Sequence, residues 1–126
     1  MAEEIQKQMQ SEFENFKAMQ KEYVRLVMQR QQLDAQMNEN TAVKKELDLM
    51  KDDADVFKLI GPVLIKQELD EAKQNVSKRL DYINGELKRI DDLISSAELK
   101  REGHKQKIEK FQKQLQEAKA KMLNMA

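Results

Sequence analysis

Val56-Phe57-Lys58-Leu59-Ile60-Gly61-Pro62-Val63-Leu64-Ile65-Lys66 is the stretch on which the reading of this chain turns. β-Branched and aromatic residues crowd both sides of a Gly-Pro pair, the pattern of two short strands around a tight turn. A helix interior would not tolerate Pro62, which lacks an N–H and whose ring clashes with the preceding turn. A helix-to-helix loop with apolar anchors is the plainer alternative, but it gives no reason for the enrichment in Val, Ile and Phe. Side chains alternate along a strand, so Phe57 and Leu59 take one face, and Val56 and Ile60 the other. A lone two-stranded hairpin is marginal in water and leaves open edges for pairing. The helices of one chain cannot cover both faces of a hairpin that lies beyond their end. The hairpin, residues 55–66, is therefore expected to be completed by strands from other chains. Its candidate assembly residues are Val56, Phe57, Leu59, Ile60, Val63, Leu64 and Ile65.

Outward from the hairpin the hydrophobic period becomes helical. Steps of four and three from Ile5 reach Met9, Glu12, Phe16, Met19, Tyr23, Leu26, Arg30, Leu33, Met37, Asn40, Lys44 and Leu47. All but Glu12, Arg30, Asn40 and Lys44 are apolar, which makes a heptad seam with polar interruptions. On the other side the seam runs through Val76, Leu80, Ile83, Leu87, Ile90, Ile94, Ala97, Arg101, His104, Ile108, Phe111, Leu115, Ala118, Met122 and Met125. Only Arg101 and His104 are polar there. Gly85 and Gly103 fall on outward positions, and the polar run Lys51-Asp52-Asp53-Ala54-Asp55 should end the first helix. The expectation is a single domain over residues 1–126, mainly α. It is a long antiparallel two-helix coiled coil, residues 3–51 and 69–124, joined by the hairpin. With the turn at residue 61, facing residues should have numbers that sum to roughly 123, pairing helices of 3.6 residues per turn in antiparallel register. Phe16 then falls near Ile108, Met9 near Leu115, Ile5 near Ala118 and Arg101 near Glu22 and Tyr23. An Arg101–Glu22 ion pair would fix that register.

Composition removes most other functions. The 126 residues carry 23 Lys and Arg against 23 Asp and Glu, with three Gly, one Pro and no Cys. Without Cys there is no disulfide framework, thiol catalyst or Cys-type zinc site. With His104 as the sole His, a Ser-His-Asp triad needs a residue already committed to the seam, and a multi-His metal site is out of reach. The three glycines are too scattered for a phosphate-binding loop. The acidic clusters 52–55 and 91–92 read as solvated surface or helix ends. The expectation is a non-enzyme with no cofactor and no metal. Zero net charge argues against nucleic acid. No run approaches the ~18 apolar residues of a membrane span, and the opening Met1-Ala2-Glu3-Glu4 does not resemble a secretory signal. No membrane partner is expected, and the location expected is cytoplasmic.

The methionines add a surface. Met1, Met9, Met122 and Met125 gather where both chain ends meet, with Ile5, Phe13, Phe16, Phe111, Leu115 and Leu123 close by. Met is flexible and polarisable, so such a tip can repack against varied apolar partners. The plainer alternative is that the seam positions among them simply close the coiled coil.

Helix, apolar hairpin and antiparallel helix in this order resemble the beta class of prefoldin. Residues Val56 to Leu69 resemble that family's hairpin signature. Lys78-Arg79-Leu80-Asp81-Tyr82-Ile83 and the opening Met1 to Lys7 narrow the resemblance to one subunit type within it. The resemblance implies a heterohexamer with other prefoldin subunits, whose hairpins form a β-barrel platform from which helical pairs hang as tentacles. It implies ATP-independent capture of unfolded actin and tubulin and delivery to the cytosolic group II chaperonin. Client binding would then fall at the tentacle tips, here Ile5, Met9, Phe13, Leu115, Met122, Leu123 and Met125. Two other classes compete: a coiled-coil scaffold or tether without client binding, and a helical arm for RNA. The first leaves the apolar hairpin unexplained, and the second calls for a basic stripe.

Overall fold

In a computed structural model that describes residues 2–125, the chain runs α1 (Ala2–Leu49), β1 (Val56–Ile60), β2 (Val63–Gln67) and α2 (Leu69–Met125). Both helices begin with acids in the first turn, Glu3 and Glu4 in α1, Asp70 and Glu71 in α2. Negative charge there complements the unsatisfied N–H groups and the positive end of the helix dipole. α1 stops two residues earlier than the sequence implies. Its last turn tightens, with Met50 N–H donating to the Leu47 carbonyl at 3.2 Å, and a separate turn follows in which Ala54 N–H bonds the Lys51 carbonyl. The weak helix formers Asn40 and Thr41 stay in α1 by bonding back to the Gln36 and Met37 carbonyls at 2.8 and 2.7 Å.

By internal contacts the chain divides into two compact units, one of residues 2–28 with 91–125, the other of residues 29–90. In the second unit Leu47, Leu69, Ala72 and Val76 form a buried cluster, with Val56 and Leu80 packed against it. Arg79 donates across the helices to Asn40 Oδ1 at 3.3 Å. In the first unit Leu26, Ala97, Ile108 and Leu115 are buried. Twelve of the thirteen seam positions read in α1 are at least half-buried, Lys44 being the exception. In α2 only Met122 and Met125 of the seam are exposed.

The observed register differs from the expected one by about one helical turn. Asn40 meets Arg79, Gln20 meets Arg101, and Glu12 meets His104 and Lys107, so facing numbers sum to roughly 119 rather than 123. The hairpin itself keeps the expected value, with Ile60 opposite Val63. The connections to the helices cause the shift: residues 50–55 separate α1 from β1, whereas Glu68 alone separates β2 from α2. Extra residues on one side of a turn move the helix on that side back along its partner. The expected Arg101–Glu22 ion pair does not form, although Arg101 keeps its expected place beside Tyr23. Arg101 donates to Gln20 Oε1 at 2.9 Å and lies 4.4 Å from the centre of the Tyr23 ring. Glu22 pairs within its own helix, accepting from Arg25. Helical side chains lean toward their own N-terminus, which carries the long Arg101 side chain toward higher numbers on α1.

Candidate assembly hairpin and apolar helix ends

The turn between β1 and β2 is made by Gly61 and Pro62. Gly61 has φ of 58°, a left-handed conformation that L side chains rarely adopt. Pro62 next to it is locked near −65°. A positive φ at the first central position and a negative one at the second is the type II′ geometry, whose twist matches that of the flanking strands. The ladder pairs Val56 with Gln67, Phe57 with Lys66, Lys58 with Ile65, Leu59 with Leu64 and Ile60 with Val63. Opposite residues share a face. Phe57, Leu59 and Leu64 with Lys66 therefore make one face, and Val56, Ile60, Val63 and Ile65 with Lys58 and Gln67 make the other.

Both faces are bare. Leu59 and Leu64 remain 67% and 65% exposed, and Phe57, Ile60, Val63 and Ile65 are exposed as well. Of the apolar strand residues only Val56 is half-buried, because it sits over the Leu47–Leu69 cluster. An ion pair of Lys66 Nζ with Asp55 at 3.3 Å closes the base of the hairpin. Six exposed aliphatic or aromatic side chains on ten strand residues are far outside the scattered exposure usual for a soluble surface.

The apolar end residues fall into two groups. Phe13, Met122, Leu123 and Met125 are exposed, the last two at 78% and 88%. Ile5 and Met9 are half-buried, and Leu115 is buried in the seam. The first group is open to solvent, and the second closes the helix pair.

Between them the seam carries a polar layer. His104 Nδ1 lies 2.6 Å from Glu12 Oε2, both largely shielded, and Lys107 Nζ reaches the other Glu12 oxygen at 3.8 Å. His104 continues the heptad series Leu69, Val76, Ile83, Ile90, Ala97, all buried. It is thus a satisfied core position. Among the described residues no group of three or more His, Asp or Glu converges as a metal site would require, and no helix is long and apolar enough to cross a membrane.

Sequence reading missed Leu69 and Ala72 as core and Val43 and Met50 as exposed apolar positions. The signal for the first two was present: the seam continues backward from Val76 by the same spacing. Val43 and Met50 flank Leu47 at helical spacing, and no periodicity separates such a flank from ordinary surface.

Comparison with known proteins gives consistent results. The family described as prefoldin subunit matches residues 10–125. Prefoldin subunit 6 of Homo sapiens is 44% identical over 120 residues, 95% of this chain and 93% of that protein. Probable prefoldin subunit 6 of Drosophila melanogaster is 44% identical over 116 residues, 92% of this chain and 93% of that one. Prefoldin subunit 6 of Arabidopsis thaliana is 41% identical over 113 residues, covering 90% and 88%. The crystal structure of the prefoldin beta subunit from Thermococcus strain KS-1 has the same fold, with a TM-score of 0.76 over 82% of this chain and 90% of that one at 19% identity. Helix, hairpin and helix in one order, together with identity of this extent over nearly the whole length, place the chain in the prefoldin family.

Proposed function

We propose that this chain is one subunit of a heterohexameric, ATP-independent holdase that captures unfolded actin and tubulin in the cytoplasm and hands them to a group II chaperonin. Prefoldins are co-chaperones that bind unfolded proteins and deliver them to a chaperonin, and the chain is a member of that family. The fold is mainly α, with a hairpin that completes a barrel formed between subunits. The observation that carries the reading is the hairpin, apolar and exposed on both faces, which only further strands can cover.

Client capture is assigned to Phe13, Met122, Leu123 and Met125, exposed apolar side chains on otherwise charged helices. A holdase needs weak contacts offered many times over. Several arms, each with a small Met- and Leu-rich surface, gain strength by multivalency while each contact remains reversible. The test is light scattering of actin diluted from denaturant, with the chain assembled with its partner subunits. Suppressed scattering is expected. A complex that assembles and leaves scattering unchanged would instead favour the scaffold reading.

A further inference from the structure

Within the unit of residues 29–90, a groove of about 350 Å³ opens at the root of the hairpin. Its floor is Leu47, Ala72 and Val76, all buried members of the core cluster. Val43 and Met50 line it from α1, 44% and 38% exposed, and β1 lines it from Val56 to Lys58. Neither Val43 nor Met50 belongs to the seam. They flank Leu47 at spacings of four and three residues, an apolar strip of α1 that helix pairing does not use. Leu47, Ala72 and Val76 offer only carbon at the floor, while Asp55, Gln67, Asn75 and Arg79 complete the lining with polar groups. A guest that reaches the floor is therefore aliphatic at that point, with polar groups around it.

The position of the groove names the donor. Its wall is β1 itself, so it is continuous with the surface through which the hairpin joins other subunits. Neighbouring strands lie about 4.8 Å apart. A strand added along the free edge of β1 runs beside Val56 and Lys58, whose side chains share the face that turns toward the core cluster. A side chain of that strand level with Val56, on the same face, projects over the groove.

We propose that this groove receives an aliphatic side chain from the neighbouring subunit whose strand pairs with β1. Helix roots as well as strand edges then take part in assembly, and a neighbour is selected by what it carries at that level. The inference rests on the hairpin being an assembly element, and the experiment separates the two.

A photo-reactive p-benzoylphenylalanine at position 43, in the complex reconstituted from all subunits, should crosslink to a neighbouring subunit within or beside its hairpin. The same group at Gln31, outside the groove, should not. In parallel, Val43→Glu and Met50→Glu compete with the parent chain for incorporation. A buried, unpaired carboxylate should lower incorporation by about tenfold or more, whereas Lys45→Glu, at an exposed position, should leave it unchanged. If either Glu variant loses helicity, the double variant Val43→Ala, Met50→Ala takes its place, with a smaller reduction expected. Equal incorporation of the groove variants, or crosslinks confined to client or to a second copy of this chain, overturns the proposal. If the groove variants enter normally and Phe57→Asp, Leu59→Asp is excluded, the groove fails and the hairpin reading stands. If all enter normally, both fail.

Discussion

His104 and Glu12 sit where the heptad pattern asks for two apolar side chains, and their 2.6 Å contact replaces a hydrophobic layer with a polar one. Such a pair fixes register, because sliding by a heptad would leave both partners facing carbon. Replacing one partner strands the other in a largely shielded site. Leu at either position alone should destabilise the helix pair, whereas Leu at both should be neutral or stabilising by about 1–4 kcal/mol. Thermal melts of the two single variants and the double form the cycle. A double variant no more stable than the singles would mean that the contact does not carry the layer. Ile90, 2% exposed, tests ordinary packing. Ile90→Ala should cost about 2–4 kcal/mol through lost burial and a residual cavity. Gly85→Ala should have the opposite sign, up to about 1 kcal/mol stabilising, since a Cβ there meets nothing within 4 Å. Melting shifts of the same sign at both sites would contradict the assigned faces.

At the scale of the element, the hairpin and the helices depend on different interactions. Phe57→Asp with Leu59→Asp places two charges on one face of the hairpin, while the ladder and the helices keep their own bonds. Far-UV helicity should be preserved, and entry into a complex with partner subunits should be abolished. The unmodified chain, purified alone, should self-associate through the same uncovered faces. Normal incorporation of the double variant, read by native mass spectrometry, would refute the platform assignment. The helix surfaces carry a weaker electrostatic contribution. Hydrogen bonds from Arg25 to Glu22 and from Arg89 to Glu86 hold both carboxyls below their ordinary value of 4.5. A carboxyl lowered in the folded state contributes stability above its unfolded pKa and loses it as pH falls through the folded one. Acid titration followed by helicity should therefore show a loss starting below about pH 4.5 that Glu22→Gln and Glu86→Gln reduce slightly.

For the whole molecule, function is tested most directly at the C-terminal end of α2. Deleting residues 121–126 removes Met122, Leu123 and Met125, all exposed, and leaves the hairpin intact. Helix ends contribute little to stability, so assembly should persist. Affinity for denatured actin should fall in part, because the remaining arms of the complex still bind and only one contact in a multivalent set is lost. Sedimentation confirms assembly while client binding is titrated. If the truncated complex binds as tightly as the parent, Met122, Leu123 and Met125 are only the last turn of a coiled coil.

How much of this was legible depends on the range over which each feature is encoded. Periodicity is local, so the two helices could be read from Ile5, Leu26, Ile83 and Ile90, and Gly61-Pro62 with its flanking Val, Ile and Leu marked the hairpin. Two-sided apolarity marked the hairpin as a candidate assembly element before any packing was known, since alternation assigns side chains to faces without reference to the rest of the chain. The register between the helices was not local. It depended on six residues before β1 against one after β2, a difference of path that only folding converts into a displacement along the helices. That displacement set Glu12 against His104 and gave Arg101 a bond to Gln20 in place of Glu22, whereas the place of Arg101 beside Tyr23 and of Leu115 in the seam was already legible. The groove beside Val43 and Met50 likewise exists only where α1, β1 and α2 converge, because a concave surface belongs to no single segment.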